Sequence, residues 1–379
     1  MISTPKGLLN ALPIKSEKKL GWPWTEETNP LVYKELKELP KITIVTPTKN
    51  QGEFIEETIR SILLQNYPNL EYIIIDGGST DNTLQIIKKY EGWISHWVSE
   101  EDGGQTHAIN KGFKLASGEI INWINSDDLL APNGLFNVIE RFEKNPDVHF
   151  VHGQNLTLDL EGKPQLFEPP NLNNLALEYL GSFPYVQPAC FYKRSVLKTT
   201  GLLDESFHIT MDKDFFVRIA LNFNIKYIDR PIAIFREQKN AKTCHYSGQW
   251  DEERVKVFSK LMRSVGAEKE IISTLQSIGI YDSERESYPL KRKFSIKEII
   301  EVVSIFMRDS IKLNFFAGNF EKSYQLAKCL KKEFPEFFVE ELNGFLIRSG
   351  FYQHPVLFFF SRMLKKVISL FPPFGTVKK

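Results

Sequence analysis

The sequence predicts an α/β fold: a Rossmann-like, mostly parallel sheet flanked by helices and followed by a helical C-terminal extension. Short β-branched runs alternate with segments of helical spacing between about residues 40 and 155, and such alternation is typical of a parallel sheet. From about residue 251 the chain changes to long helical segments rich in Lys, Glu and Phe. We therefore expect a leader at 1–39 packed on a main domain at 40–250, with the extension at 251–379.

The elements of the main domain follow one another in β-α-β order. Strands are predicted at residues 41–48, 70–75, 93–99, 119–124 and 148–151. Helices are predicted at residues 53–65, 84–90, 105–115 and 132–145. Pro47 and a polar turn end the first strand, and Pro68 stops the helix after it. Because parallel sheets bind ligands outside the carboxyl ends of their strands, the polar residues after these strands are the first candidates for a site.

The extension contains a predicted helical hairpin, 320–334 with 337–347, which Pro335 divides. After it, residues 352–374 combine an apolar run with Arg362 and Lys365. An apolar face with basic flanks suits peripheral contact with an anionic membrane surface. A terminal helix packed on the protein explains the same pattern, and both interpretations stay open here.

Composition excludes several classes of protein. The chain has 379 residues, and 48 Lys and Arg against 47 Asp and Glu leave a net charge of +1. No strong field therefore attracts nucleic acid. The three cysteines lack C-x-x-C spacing, so neither a disulfide framework nor a zinc site is expected, and a cytoplasmic setting is the simplest inference. No run reaches the roughly 18 apolar residues of a spanning helix.

Two adjacent acids, Asp127 and Asp128, follow the predicted strand 119–124. Side by side at a strand end they repel each other unless a cation or hydrogen-bond donors offset their charge. A divalent cation between them would also hold a nucleotide diphosphate, and Mn²⁺ or Mg²⁺ suits an all-oxygen ligand set better than Zn²⁺. The alternative is that one of these acids caps the helix that follows.

Other acids stand at equally suggestive positions. Asp76 ends the second strand, where it is placed to accept hydrogen bonds from a base or a sugar, although a plain turn within 76–81 explains it as well. Asp212 and Asp214 open a later helix. One of them is a candidate base for a hydroxyl proton, while the alternative is that both cap the helix.

Taken together, the order of these motifs resembles that of a family-2 glycosyltransferase with the glycosyltransferase-A fold. The resemblance covers roughly residues 40 to 245, and it rests on four segments: Ile42 to Asn50, Ile75 to Thr83, Asn125 to Asp128, and Met211 to Phe215. It implies an inverting enzyme that takes a sugar from a nucleotide-diphosphate-sugar donor and passes it to a hydroxyl of a glycan or lipid-linked acceptor.

The same resemblance implies a role for each candidate residue. The donor-binding residues it implies are Thr46, Pro47, Thr48, Asn50, Asp76, Gly104, Asn110 and Asp127. Asp128 would bind the metal, and Asp212 would be the catalytic base. Gln187 and Asp214 would lie on the acceptor side. Relatives often carry a His shortly after an Arg near the end of the domain, but here Gln238 follows Arg236, so the third metal ligand is Gln238, His245 or water.

Two rival functions are compatible with parts of this pattern. A nucleotidyltransferase also needs a metal, but it would need a basic, Gly-rich phosphate loop, and residues 48–52 make a poor one. A nucleotide-sugar-binding scaffold without turnover would have no use for a base such as Asp212. The setting expected for the transferase is polysaccharide or glycoconjugate assembly at the cytoplasmic face of the membrane.

Overall fold

The structure is a computed structural model, and it describes residues 6–13, 19–158, 163–167, 175–238, 247–282 and 286–351. The strands are β1 (Ile42–Thr48), β2 (Leu70–Asp76), β3 (His96–Ser99), β4 (Ile120–Trp123), β5 (Leu129–Leu130), β6 (Phe150–Leu158), β7 (Pro164–Phe167), β8 (Cys190–Lys193) and β9 (Ile225–Arg236). The helices are α1 (Ile55–Leu63), α2 (Thr83–Lys89), α3 (Gln105–Leu115), α4 (Gly134–Lys144), α5 (Leu175–Gly181), α6 (Leu197–Thr200), α7 (Met211–Ala220), α8 (Ser247–Ser264), α9 (Lys269–Ser277), α10 (Ile296–Phe316), α11 (Phe320–Glu333) and α12 (Glu341–Gly350).

Within the described residues, all the strands belong to one sheet in the order β3-β2-β1-β4-β8-β6-β9-β5, with β7 paired to β6. The first four strands are parallel, whereas β8 is antiparallel to both β4 and β6. The predicted α/β fold with flanking helices is therefore confirmed. The sheet is of mixed direction: β6 and β9 are again parallel, whereas β5 is antiparallel to β9 and β7 is antiparallel to β6.

The register of β1 explains why the predicted site residues meet at one edge. Thr48 lies opposite Asp76 in the parallel pair of β1 and β2, and Val45 lies opposite Trp123 at the end of β4. All seven residues of β1 are buried, as expected for a strand with helices on its faces. The loops after β1, β2 and β4 consequently leave the sheet side by side.

Helix α3 packs directly on β1 through a glycine. A Cβ atom at Gly112 would lie only 2.3 Å from Cγ1 of Val45, so the helix can approach the strand this closely only without a side chain there. On the other face, Ile55 and Ile59 of α1 enter a large core cluster that also contains Leu12 and Tyr33 from the N-terminal residues.

Contacts divide the chain into two compact units. The first comprises Met1–Tyr179, Phe183–Val257 and Ser287–Arg292, and the second Leu180–Ser182, Phe258–Glu286 and Lys293–Lys379. The predicted domain limits at 39 and 250 stay a prediction. In the second unit, Phe258 stacks on Phe306 with ring centroids 3.7 Å apart. A capping box of Ser295 and Glu298 begins α10.

The predicted hairpin corresponds to α11 and α12, but the second helix begins four residues later than expected because the turn Pro335–Phe337 comes first. The apolar tail, 352–374, lies outside the described residues. Among the described helices, none has both the length and the apolar character needed to cross a bilayer.

We expect Gly112→Ala to lower the free energy of unfolding by about 1–3 kcal/mol, because the new methyl group meets the buried Val45 side chain. Chemical denaturation of the full chain measures this. Gly92→Ala is the control, since nothing lies within 4 Å of a Cβ there. Equal stability of the two variants would show that α3 and β1 are not in close contact.

Candidate active site

A pocket of about 550 Å³ opens where the strands β1 and β4 end, and we call it the strand-end pocket. Its lining includes Pro47, Thr48, Gly104, Asp127, Asp128, Tyr185, Gln187, His208, Ile209, Asp212, Arg236 and Gln238. A larger cavity of about 870 Å³ is lined by residues such as Glu143 and Arg194. None of the predicted site residues lines that cavity, so size does not identify the site here.

Asp127 and Asp128 lie in the turn after β4 with their carboxylates held by hydrogen bonds. Asp128 accepts one from the backbone N–H of Arg236 at 3.3 Å and one from Nδ2 of Asn125 at 3.2 Å. Asp127 accepts one from Nε2 of Gln238 at 2.7 Å. Burial, and then the charge of Asp127, raises the pKa of Asp128 well above its usual range. Burial also raises the pKa of Asp127.

In the sequence, Arg236 served only to locate the expected third metal ligand. In the structure it ends β9 and lines the pocket. Its Nε donates to the backbone carbonyl of Asp127 at 3.2 Å, and its Nη2 pairs with Glu57 at 2.8 Å. The guanidinium therefore stands beside the acid pair in a fixed orientation. The sequence signal for this role was the similarity of Arg236 to an Arg that relatives carry near the end of the domain.

The acid pair fits a hard divalent cation. Two adjacent carboxylates with raised pKa values, one buried and one half-buried, form an oxygen donor set whose repulsion a cation would offset. Gln238 donates its amide N–H to Asp127 and so acts here as a hydrogen-bond donor. His245, the other candidate for a third ligand, lies outside the described residues. No group of three or more His, Cys, Asp or Glu side chains suited to a metal occurs in the part of the chain that the structure describes.

Asp212 lies in the first turn of α7 and lines the same pocket as the acid pair. Burial raises the pKa of its carboxyl, and the neighbouring Lys213 partly opposes this. Of the four acids that the sequence suggested would meet around one cleft, Asp127, Asp128 and Asp212 line it.

The fourth acid, Asp76, is fully buried behind the pocket wall. Its carboxylate accepts hydrogen bonds from the backbone N–H groups of Gly78 and Ser79 and from the hydroxyls of Ser79 and Ser99. These hydrogen bonds form the turn that the sequence also allowed, and the role of Asp76 in donor binding stays a prediction. Asn50 belongs to the same network, because its backbone N–H donates to the Ser79 hydroxyl.

Two further residues predicted to bind the donor, Thr46 and Asn110, also lie outside the pocket lining. The buried Thr46 hydroxyl lies 3.1 Å from that of Tyr72. Asn110 donates to the carbonyl of Leu203 and to Glu205, so it anchors the loop before α7.

Asp214, expected on the acceptor side, faces the interior instead. Its carboxylate pairs with the Arg218 guanidinium at 2.7 Å and accepts a hydrogen bond from the Tyr288 hydroxyl at 2.8 Å. The side chain is buried. Residues 212 and 214 are two apart on a helix and therefore point in different directions, so only Asp212 reaches the pocket.

Gln187 lines the pocket and is 8% exposed. Its Nε2 donates to the carbonyl of Trp123 at 2.8 Å and lies 3.3 Å from Oδ1 of Asn122. These contacts orient the amide, and Oε1 has no partner among the described residues. The buried hydroxyl of Tyr185 lacks a partner there in the same way. Tyr185 was not among the predicted site residues, because nothing in the sequence distinguishes it from a core aromatic.

The segment from β1 to α6 matches a known family. The sequence model described as Glycosyl transferase family 2 covers residues 43–201. This segment belongs to glycosyl transferase family 2. Asp127, Asp128 and Gln187 lie within the matched segment, whereas Asp212, Arg236 and Gln238 lie beyond it.

Individual relatives agree with the family. An uncharacterized glycosyltransferase of Rickettsia typhi is 28% identical over 280 residues, which are 69% of this chain and 86% of the relative. Poly-beta-1,6-N-acetyl-D-glucosamine synthase of Staphylococcus epidermidis is 35% identical over 127 residues, which are 32% of this chain and 30% of the synthase.

A solved structure shows the fold. The crystal structure of S. aureus TarS 1-349 in complex with UDP-GlcNAc is similar with a TM-score of 0.53 and 18% sequence identity, covering 81% of this chain and 84% of that one. The glycosyltransferase-A fold expected from the motifs is therefore confirmed.

We expect Asp214→Asn to lower the free energy of unfolding by about 3–5 kcal/mol, because the change leaves the buried Arg218 guanidinium without its carboxylate. Thermal or denaturant unfolding of the full chain measures it. Asp229→Asn, at an exposed position, should change stability by less than about 0.5 kcal/mol. If Asp214→Asn is as stable as the unchanged protein, the pair of Asp214 and Arg218 does not stabilise the fold.

Proposed function

We propose that this glycosyltransferase is an inverting enzyme that moves a sugar from a nucleotide-diphosphate-sugar donor to a hydroxyl of a glycan or lipid-linked acceptor. One observation carries the proposal: Asp212 lines the same pocket as Asp127 and Asp128, although 84 residues of sequence separate it from the second of these acids. A base and an acid pair that could bind a cation are the two components that transfer to a hydroxyl requires.

Asp212 is the proposed base. Its carboxylate accepts the proton of the acceptor hydroxyl while that oxygen forms a bond to the anomeric carbon of the donor. The bond from this carbon to the diphosphate breaks, and its electron pair leaves with the nucleoside diphosphate. Attack from the face opposite the leaving group inverts the anomeric centre. The raised pKa of Asp212 supports this role, since a stronger base accepts a proton more readily near neutral pH.

The donor side of the proposed site consists of Pro47, Thr48 and Gly104 at the strand ends, with Asp127 and Asp128 below the diphosphate. Asp127 and Asp128 would hold Mn²⁺ or Mg²⁺. When bound, such a cation would offset the negative charge that builds up on the leaving diphosphate. Arg236 supplies a fixed positive charge at the same place.

The acceptor side is proposed to include Gln187 and Tyr185. Oε1 of Gln187 is a buried acceptor whose amide is already oriented, so a hydroxyl or N–H of a bound sugar would satisfy it. The buried hydroxyl of Tyr185 also lacks a hydrogen-bond partner among the described residues, so a bound sugar would satisfy it in the same way. Asp214 has no place in this proposal, because Arg218 and Tyr288 occupy its carboxylate.

The proposed setting is polysaccharide or glycoconjugate biosynthesis. The similarity of one third of the chain to a poly-N-acetylglucosamine synthase supports it. The cytoplasmic location and the membrane contact through the tail stay predictions.

The direct test is incubation of the purified chain with Mn²⁺ and a panel of nucleotide sugars that includes UDP-GlcNAc, followed by analysis of the released products. Slow release of nucleoside diphosphate supports the transferase. Release of pyrophosphate would instead identify a nucleotidyltransferase, and binding without any turnover would identify a scaffold.

We expect Asp212→Asn to reduce sugar transfer by at least about 100-fold, because an amide cannot accept the proton. Donor affinity should stay within about twofold, since Asp212 takes no part in holding the diphosphate. Turnover of the most active donor and calorimetry of nucleoside diphosphate binding measure the two quantities. Turnover close to that of the unchanged enzyme would refute the assignment of the base.

The pH dependence of kcat should reflect the ionisation of Asp212. Because the base must be ionised, the rate rises with pH through the pKa of Asp212. Burial raises this pKa above 3.8, so the midpoint of the acid limb should lie above that value. An acid limb centred at or below 3.8 would contradict the buried environment of the base.

We expect Asp128→Ala to weaken nucleoside diphosphate binding in the presence of Mn²⁺ and to change it little without the metal. Calorimetry with and without Mn²⁺ measures the difference. Glu101→Gln is the control, because Glu101 is an exposed acid outside the pocket lining. Equal losses with and without the metal would show that Asp128 does not act through a cation.

A further inference from the structure

The wall of the strand-end pocket that carries the proposed base is a short loop leading into α7. His208, Ile209, Met211 and Asp212 all line the pocket, so the path of this loop sets where the Asp212 carboxylate stands. Loops before helices often gain order from an N-cap side chain. Thr210 is the N-cap of α7, but its side chain makes no capping hydrogen bond to the helix.

A carboxylate from another helix takes over this function. Glu253 of α8 accepts hydrogen bonds from the backbone N–H groups of His208 at 3.1 Å, Ile209 at 3.0 Å and Thr210 at 2.9 Å. The Thr210 hydroxyl donates to it as well, at 3.1 Å. One side chain thus holds three consecutive residues from behind the pocket wall.

Glu253 is suited to this task by its environment. It is 8% exposed, and the amide of Gln249, one turn earlier on α8, lies 3.3 Å from its Oε1. Burial by itself would raise the pKa of Glu253, but the N–H donors of Thr210, Ile209 and His208 outweigh it and lower the pKa. The carboxylate therefore stays ionised, and hydrogen bonds to an ionised acceptor are stronger than neutral ones.

We propose that Glu253 is a positioning residue for catalysis, which fixes the loop 208–210 and through it the place of the Asp212 carboxylate in the pocket. The inference rests on the proposed function, because it assumes that Asp212 is the base. Glu253 lies beyond the segment that the family matches, on a helix that contributes no lining residue to the pocket.

The arrangement has an electrostatic consequence that a purely structural brace would not have. The groups that interact electrostatically with Asp212 are Lys213 on its own helix, Tyr185 and Cys190 from the segment before and within β8, and Glu253 from α8. The negative charge of Glu253 disfavours ionisation of Asp212, so loss of that charge lowers the pKa of the base.

The test compares Glu253→Gln and Glu253→Asp in the full chain with Glu252→Gln, which removes the same charge from the adjacent, exposed position of α8. Hydrogen exchange of the amides at 208–210 needs no substrate and is measured first. Kinetics then use the most active nucleotide sugar of the donor panel. If Glu253→Gln does not fold, Thr210→Val removes one hydrogen bond of the four with little change of shape.

We expect faster exchange at 208–210 in Glu253→Gln, a kcat lower by about 10–100-fold because the base is displaced, and a donor KM within about twofold. The acid limb of kcat should move to lower pH. Glu253→Asp keeps the charge and should retain the original acid limb with a partial loss of kcat, and Thr210→Val should lower kcat less. Glu252→Gln should change none of these quantities.

Failure of this inference differs from failure of the proposed function. An active parent enzyme whose Glu253→Gln variant exchanges faster but keeps the parental kcat and acid limb would make Glu253 a structural brace only. A parent that turns over no donor in the panel would instead refute the transferase. Unchanged exchange at 208–210 would overturn the inference directly, whatever the activity.

Discussion

The mutual repulsion of Asp127 and Asp128 is the constraint around which the pocket is built. Two ionised carboxylates in a turn that follows a buried strand are unfavourable in a low dielectric. Burial accordingly raises the pKa values of both. Their carboxylates accept hydrogen bonds from Asn125, Gln238 and the backbone N–H of Arg236, and the Arg236 side chain donates to the backbone carbonyl of Asp127. Donors from β4 and from the end of β9 therefore meet at this point, which ties the two halves of the sheet together where a ligand would enter.

The first turn of α7 shows how two similar acids acquire different tasks. Asp214 is neutralised by an internal arginine and a tyrosine, and it contributes to stability. Asp212, two residues earlier, lines the pocket instead. The angular step of about 100° per residue in a helix separates them. A buried acid that is fully paired serves the fold, whereas one held in a cleft by its neighbours can exchange a proton.

A third carboxylate, Glu253, contributes both to the stability of the fold and to the shape of the pocket. Glu253 accepts hydrogen bonds from three backbone N–H groups, as a structural carboxylate does. These N–H groups belong to residues 208–210, the loop that leads into the helix of Asp212. The pocket is thus formed by side chains on one side of the loop 208–210 and supported on the other side by a helix that comes later in the chain. Asp212 follows this loop in the first turn of α7, so hydrogen bonds from the loop to one fixed acceptor restrict its position as well.

The sequence by itself determined the β-α-β order from β1 to β4, the family resemblance and the polar residues after these strands, because apolar periodicity and local turn residues are properties of neighbouring positions. It indicated Asp127, Asp128 and Asp212 correctly as members of one pocket. It left open which groups the Asp76 carboxylate would contact, and whether Asp212 or Asp214 turns inward. Only the tertiary structure decided these points, because partners such as Ser99, Tyr288 and Glu253 are distant in sequence and no local pattern reveals which donor will meet which carboxylate.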